Sequence, residues 1–168
     1  MVNTTLCYIE KDGAYLMLHR TKKQHDYNHN KWIGIGGKFE VGESPEECVI
    51  REVKEETGLT LAPGQLEYKG IVTFVCEDDK DENSLYTEFM HIFHTKSFSG
   101  TITDCDEGDL QWIPIEKMNE LPHWLGDEIF LDFLKTDMPF YSLKLEYREG
   151  ELQRTFLNGE LYNHFAKQ

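Results

Sequence analysis

Positive charge is scarce in this chain. Seventeen Lys and Arg stand against 31 Asp and Glu in 168 residues, a formal charge of −14. That field repels a phosphate backbone, so no nucleic-acid polymer is expected as a partner. A small phosphorylated molecule arriving with its own cation remains compatible. Apolar runs of membrane-spanning length are also missing, so no membrane partner is expected. Cys7, Cys48, Cys76 and Cys105 include no C-x-x-C pair, which argues for reduced, buried thiols in a cytoplasmic protein. There is no internal repeat and no low-complexity linker. Met1 leads straight into a polar, strand-like start, so no signal peptide is expected. The length suits one domain spanning residues 1–168 around a full core.

What the chain does have is concentrated between Gly37 and Leu59. Gly37, Glu43, Arg51, Glu52, Glu55, Glu56 and Gly58 stand there at fixed offsets around one short helix. At roughly 6% usage per residue type, a chance match at a given start is far below one in a million. Ser44-Pro45-Glu46-Glu47 reads as a capping box with proline in the first turn, and Gly58 as a left-handed C-terminal cap. Val49, Ile50 and Val53 fall at helical spacing and should pack inward. Glu52, Glu55 and Glu56, at i, i+3 and i+4, converge along one side, with Arg51 and Glu43 beside them. Like charges so placed repel by tenths of a kcal/mol per pair. An acidic run is ordinarily a solvated face, but a hard divalent cation turns this repulsion into binding, since Mg²⁺ takes oxygen ligands and bridges to phosphates.

The run from Gly37 to Leu59 resembles the Nudix box, G-x5-E-x7-R-E-U-x-E-E-x-G-U with U apolar, at every position. The whole chain resembles the MutT-type oxidised-purine nucleoside triphosphate diphosphatases. KWIGIGGK precedes the box, an Asp-Glu-Gly loop follows it, and a Trp-x-Gly-Asp segment lies near the C-terminus. The resemblance implies an α/β fold, the Nudix α/β/α sandwich with a mixed central sheet and an extra C-terminal hairpin. It implies metal-dependent hydrolysis of a nucleoside triphosphate, an oxidised purine such as 8-oxo-dGTP, to monophosphate and pyrophosphate. Mg²⁺ is the expected metal, with Mn²⁺ as the alternative, held by Glu52, Glu55, Glu56, Glu107 and the Gly36 carbonyl. Asp104 and Asp106 are substitutes for Glu107, and either Glu55 or Glu107 orients the water. Arg51 is expected to hold Glu52 or Glu43 in place, while Arg20 and Lys38 contact phosphate. For the base, Trp124 stacks, Phe74 forms the opposite wall and Asp127 bonds the Watson–Crick edge. Oxidised guanine carries an N7–H donor where guanine has an acceptor, so an acceptor-bearing pocket discriminates them. Ile33 stands where some relatives carry a base-bonding asparagine; that contact must be absent here or supplied elsewhere. The expected partner is a small nucleotide, and the expected state a monomer or weak homodimer. A pyrophosphatase acting on a nucleotide sugar or dinucleotide is the alternative, and a non-catalytic nucleotide-binding module the third reading.

Along the chain, residues 4–9 and 14–20 read as strands around a Glu-Lys-Asp-Gly turn, followed by a polar loop over 21–31 and a short strand over 32–36. Residues 65–76 and 85–94 read as longer strands around an acidic loop over 77–83, and 110–113 as another. Residues 124–134 read as a helix, and 140–147 with 151–157 as a hairpin turning at Glu149-Gly150. Strands interrupted by two helices indicate a mixed sheet with a helix on each face. His91 and His94 point to opposite faces of their strand, so one shared metal is not expected.

Overall fold

The strand-like segments pair into one mixed sheet in a computed structural model that describes residues 1–22, 27–78 and 81–165. β1 (Val2–Lys11) and β2 (Ala14–His19) are joined at Asp12-Gly13, whose φ values of 51° and 74° give the turn whose twist suits a hairpin. The two strands pair only at Glu10–Tyr15 and Lys11–Ala14 and then part. Into the gap comes the glycine-rich segment that follows β3 (Trp32–Ile33). The Thr5 amide donates to the Gly37 carbonyl at 2.9 Å and the Cys7 amide to that of Ile35 at 2.7 Å. A Cβ on Gly36 would lie 1.9 Å from the Thr5 carbonyl oxygen, so only glycine permits this approach.

The box helix, α1 (Pro45–Thr57), follows. Ser44 and Glu47 complete the capping box, and Gly58 ends the helix at φ 77°. Beyond it come β4 (Glu67–Asp78), β5 (Asp81–Thr95), β6 (Asp109–Pro114), α2 (Asp127–Leu134), β7 (Tyr141–Arg148), β8 (Glu151–Leu157) and β9 (Glu160–Leu161). The strand order is β3-β2-β1-β5-β4-β7-β8-β9, with β6 on the free flank of β2. The β1–β5 and β4–β7 pairs are parallel and the others antiparallel.

Alternation along the strands divides the core in two. Cys7, Ile9, Leu16, Leu18 and Phe93 face α1 and pack with Val49 and Val53. Tyr8, Tyr15, Met17, Val72, Phe74 and Leu143 face the other way and pack with Ile129 and Phe130 of α2. Burying such side chains contributes about 1.5–3 kcal/mol each, and this fixes one helix on each face. All four cysteines are buried and free. His91 packs against Phe39 and Tyr68 on the α1 face, whereas His94 pairs with Glu10 on the other.

Three boundaries differ from the sequence reading. The acidic stretch over 77–83 is largely strand: Glu77 pairs with Leu85 and Asp78 with Asp81, and residues 79–80 lie outside the described residues. Ladder pairing between β4 and β5 overrides the low strand propensity of those polar residues. The helix expected over 124–134 begins at Asp127, because Trp124, Leu125 and Gly126 form a turn capped by the Asp127 amide on the Trp124 carbonyl at 2.9 Å. The strand expected over 32–36 is regular only at Trp32–Ile33. Part of the loop expected over 21–31, residues 23–26, also lies outside the described residues. β9 was not anticipated; it follows Asn158-Gly159, a third pair of positive-φ residues after Asp12-Gly13 and Glu149-Gly150.

Candidate active site

α1 sets the carboxylates and the glycine segment meets them. Glu56 is turned inward and only 8% exposed, and the Gly36 amide donates to its Oε2 at 3.2 Å. Burial, reinforced by the charge of Glu107, pushes its carboxyl up to about 8. Glu52 lies against Gly37, where a Cβ would sit 2.5 Å from its carboxyl carbon, so any side chain at position 37 would displace that carboxyl. Burial also raises the pKa of Glu52, against the pull of Arg51. Glu55 is more exposed, on the outer side of the helix.

Arg51 organises this group. Its guanidinium donates to Glu43 at 2.6 and 2.9 Å, to Glu52 at 2.9 Å, to Glu55 at 3.2 Å and to the Lys38 carbonyl at 3.0 Å. Those hydrogen bonds hold the Glu43 carboxyl down to about 2 and raise the pKa of Arg51 itself. A planar fork makes these contacts together, which a lysine ammonium does not. Arg51→Lys is therefore expected to lower kcat/KM and apparent metal affinity about 10–100-fold, the usual effect of disturbing a ligand's support. An unchanged metal-activation curve in a steady-state titration would remove Arg51 from that role.

The second carboxylate source comes from the β2–β6 pairing. His19 pairs with Asp109, so Arg20 and Glu107 meet just beyond the paired ends as an ion pair. A Cβ on Gly108 would lie 1.9 Å from the His19 carbonyl, which explains the glycine after Glu107. Asp104 and Asp106 are exposed, and of the three acidic residues on this loop Glu107 is the one whose charge acts most strongly on Glu56. Lys38 is exposed and forms no ion pair among the described residues.

The arrangement suits a hard cation. The Ile35 and Gly37 carbonyls accept from β1, whereas that of Gly36 accepts no hydrogen bond among the described residues. A bare carbonyl on the residue whose amide meets the Glu56 carboxyl offers the oxygen donors that Mg²⁺ favours. Among the described residues no three His, Cys, Asp or Glu side chains form a ready-made cage. The reason is visible: Arg51 holds Glu52 and Glu55, and Arg20 holds Glu107. Arg51 contacts one oxygen of Glu52 and one of Glu55, so each keeps acceptor positions that a cation can use.

On the α2 face lies an aromatic box. Phe74, Trp124 and Tyr147 pack edge-to-face or tilted, with ring centroids 5.0–6.1 Å apart. Tyr27 stacks on Trp124 at 5.0 Å and the Lys31 ammonium sits 4.2 Å from its ring centre. The Trp124 indole N–H donates to Asn28 at 2.7 Å. Asp127 lies beneath, its carboxyl pushed up to about 7 by burial, against the pull of His123 and Lys31. Ile33 is not in this group; strand alternation sends Trp32 to the α2 side and Ile33 to the cluster under α1. Tyr147 belongs to the box although the sequence reading passed over it; its place in the apolar alternation of residues 141, 143, 145 and 147 was the available signal.

The segment over 32–37 links both ends. Gly34 lies against the ring of Tyr8, whose hydroxyl is near Asp127, and two residues on, Gly36 meets Glu56. Two surface depressions of about 380 and 330 Å³ lie elsewhere, beside Phe98 and beside Phe156, and contain none of these groups, so volume does not mark the site.

Known proteins agree with this geometry. The NUDIX domain model matches residues 2–134. An uncharacterized Nudix hydrolase of Bacillus subtilis, YvcI, is 35% identical over 132 residues, 77% of each chain. An oxidized purine nucleoside triphosphate hydrolase of Danio rerio is 30% identical over 132 residues, again 77% of each. The crystal structure of a MutT protein from Bacillus halodurans superposes with a TM-score of 0.79 at 28% identity, covering 95% of this chain and 99% of that one. With its domain match, its mixed sheet between two helices and its box carboxylates gathered on α1, the chain belongs to the Nudix family of hydrolases.

Proposed function

We propose that this Nudix hydrolase cleaves nucleoside triphosphates to monophosphate and pyrophosphate with Mg²⁺, or Mn²⁺ in its place, and prefers oxidised purines such as 8-oxo-dGTP. Its service would be to DNA repair, by clearing damaged precursors from a cytoplasmic nucleotide pool. The acting unit would be residues 1–168 as one domain, a monomer or weak homodimer. One observation carries the reading: an aromatic cluster beside the half-buried carboxyl of Asp127 and a carboxylate cluster are joined by residues 34–36. Two residues of extended chain span about 7 Å, a distance over which a nucleotide separates its base from its phosphates. The name of the Danio rerio relative supports the same substrate class.

In this reading Glu52, Glu55, Glu56, Glu107 and the Gly36 carbonyl hold the metal, which when bound neutralises phosphate charge and lowers the pKa of water. Arg51 keeps Glu52 and Glu55 on the correct side of the helix. Arg20 and Lys38 reach the phosphates. Glu55 or Glu107 orients the attacking water, which displaces pyrophosphate from the phosphorus it attacks. Trp124 and Phe74 enclose the base and Asp127 accepts from its Watson–Crick edge.

The test is pyrophosphate release from dGTP and 8-oxo-dGTP, with Mg²⁺ and with chelator. Turnover that stops on chelation and a kcat/KM at least about tenfold higher for the oxidised base are expected, since a pocket built to hydrogen-bond one base penalises its analogue. Equal rates on both bases would discard the substrate while leaving the hydrolase; no metal-dependent turnover would discard the site.

A further inference from the structure

Glu88 is a second carboxylate on the wall of the box. Register across β4 and β5 sets Glu88 directly opposite Phe74, on the same face of the sheet. Both its oxygens are fixed: the Thr4 hydroxyl donates to one at 2.7 Å and the Tyr86 hydroxyl to the other at 3.0 Å. Among the described residues no cation pairs with it, although the side chain is half-buried and Thr4 is only 7% exposed. An uncompensated charge on a partly desolvated face costs free energy unless something arrives to meet it. Each carboxylate has about four acceptor positions, and two hydroxyls leave the others directed away from Thr4 and Tyr86.

We propose that Glu88 is a specificity-determining residue that accepts a hydrogen bond from the N7–H of an oxidised purine, the contact that Ile33 has no polar atom to make. This deepens the nucleotide reading above and rests on it. Asp127, at the α2 end of the box, reads the Watson–Crick edge, while Glu88, beside Phe74, reads the imidazole edge. An unoxidised guanine turns the lone pair of N7 toward the same carboxylate and is repelled. Discrimination thus comes from a fixed acceptor, which distinguishes a donor from an acceptor far better than apolar fit does. The hydroxyls of Thr4 and Tyr86 give Glu88 one orientation and keep it from rotating to suit the wrong base.

The experiment titrates 8-oxo-dGMP and dGMP into the metal-free protein, following tryptophan fluorescence, for wild type and Glu88→Gln. Glutamine keeps the shape and removes the charge. The expected result is a wild-type preference for 8-oxo-dGMP that falls at least about tenfold in the variant, chiefly through weaker binding of the oxidised base. Should Glu88→Gln fold poorly, Thr4→Val, which releases one Glu88 oxygen, is expected to reduce the preference in the same direction. An unchanged binding ratio in a folded variant overturns the role of Glu88, and so does failure of the wild type to bind either monophosphate. These readouts contain no turnover, so a protein that binds selectively yet releases no pyrophosphate would refute the hydrolysis reading and leave this one standing.

Discussion

Glu56→Gln is expected to lower kcat by about 10²–10⁴-fold while the protein remains folded. The expectation follows from what glutamine changes. Glu56 is buried, and its carboxyl is raised to about 8 by desolvation and by Glu107, so the folded apo protein already prefers the neutral form. Glutamine is neutral, nearly isosteric and still able to accept from the Gly36 amide. It removes the cost of holding a charge there and should leave melting unchanged or slightly raised. A large loss of turnover in a protein that melts normally therefore reports on chemistry and not on folding. Glu55→Gln is the companion: its side chain is 60% exposed and, among the described residues, bonded only to Arg51, so folding has little stake in it. Its turnover should fall by orders of magnitude as well. Steady-state kinetics at saturating Mg²⁺, with melting curves alongside, provide the check. Near-normal kcat in both variants would sink the assignment of α1 as the metal-binding face.

How much of this was legible before any coordinates depended on distance along the chain. The α1 carboxylates, the capping box and Gly58 lie within 23 consecutive residues, so helical geometry alone fixes their relation. The need for Gly36 and Gly37 was only half legible. Their spacing was plain, but that Thr5 and Glu52 press on them required knowing that β1 parts from β2. Arg20 and Glu107 are 87 residues apart and meet through the β2–β6 register, which periodicity does not encode. Glu88 was invisible for the same reason: opposite Phe74 it is a wall of the box, and one residue of slip would turn it to the other face. The start of α2 was misplaced because Trp124 and Leu125 continue an apolar pattern that suits a helix. Gly126 is set by packing instead: a Cβ there would lie 2.6 Å from Leu145 and 2.8 Å from the Tyr147 hydroxyl, to which its amide donates.

Asp127 should trade stability against base binding, and two substitutions separate the terms. Burial pushes its carboxyl up from the usual 3.8 to about 7. The folded state therefore binds this proton more tightly than the unfolded state does. The associated stability is fully present below pH 3.8 and is lost as pH rises toward 7. By pH 8 the cost approaches a ceiling of about 4 kcal/mol. Asparagine carries no such charge. Asp127→Asn should melt with the wild type near pH 4 and about 5 °C or more above it at pH 8, in chelator, the gap opening between those values. A gap that does not vary with pH would mean that the carboxyl is not desolvated in the folded protein. Asp127→Ala removes the acceptor altogether, and kcat/KM should fall about tenfold or more for 8-oxo-dGTP and dGTP alike, since both present the same Watson–Crick edge, while Mg²⁺-dependent turnover persists because the carboxylates of α1 are untouched. A residue that weakens the fold at working pH and holds the base has the profile of a group kept for binding. An unchanged kcat/KM on both bases in Asp127→Ala would move base recognition away from the α2 end of the box.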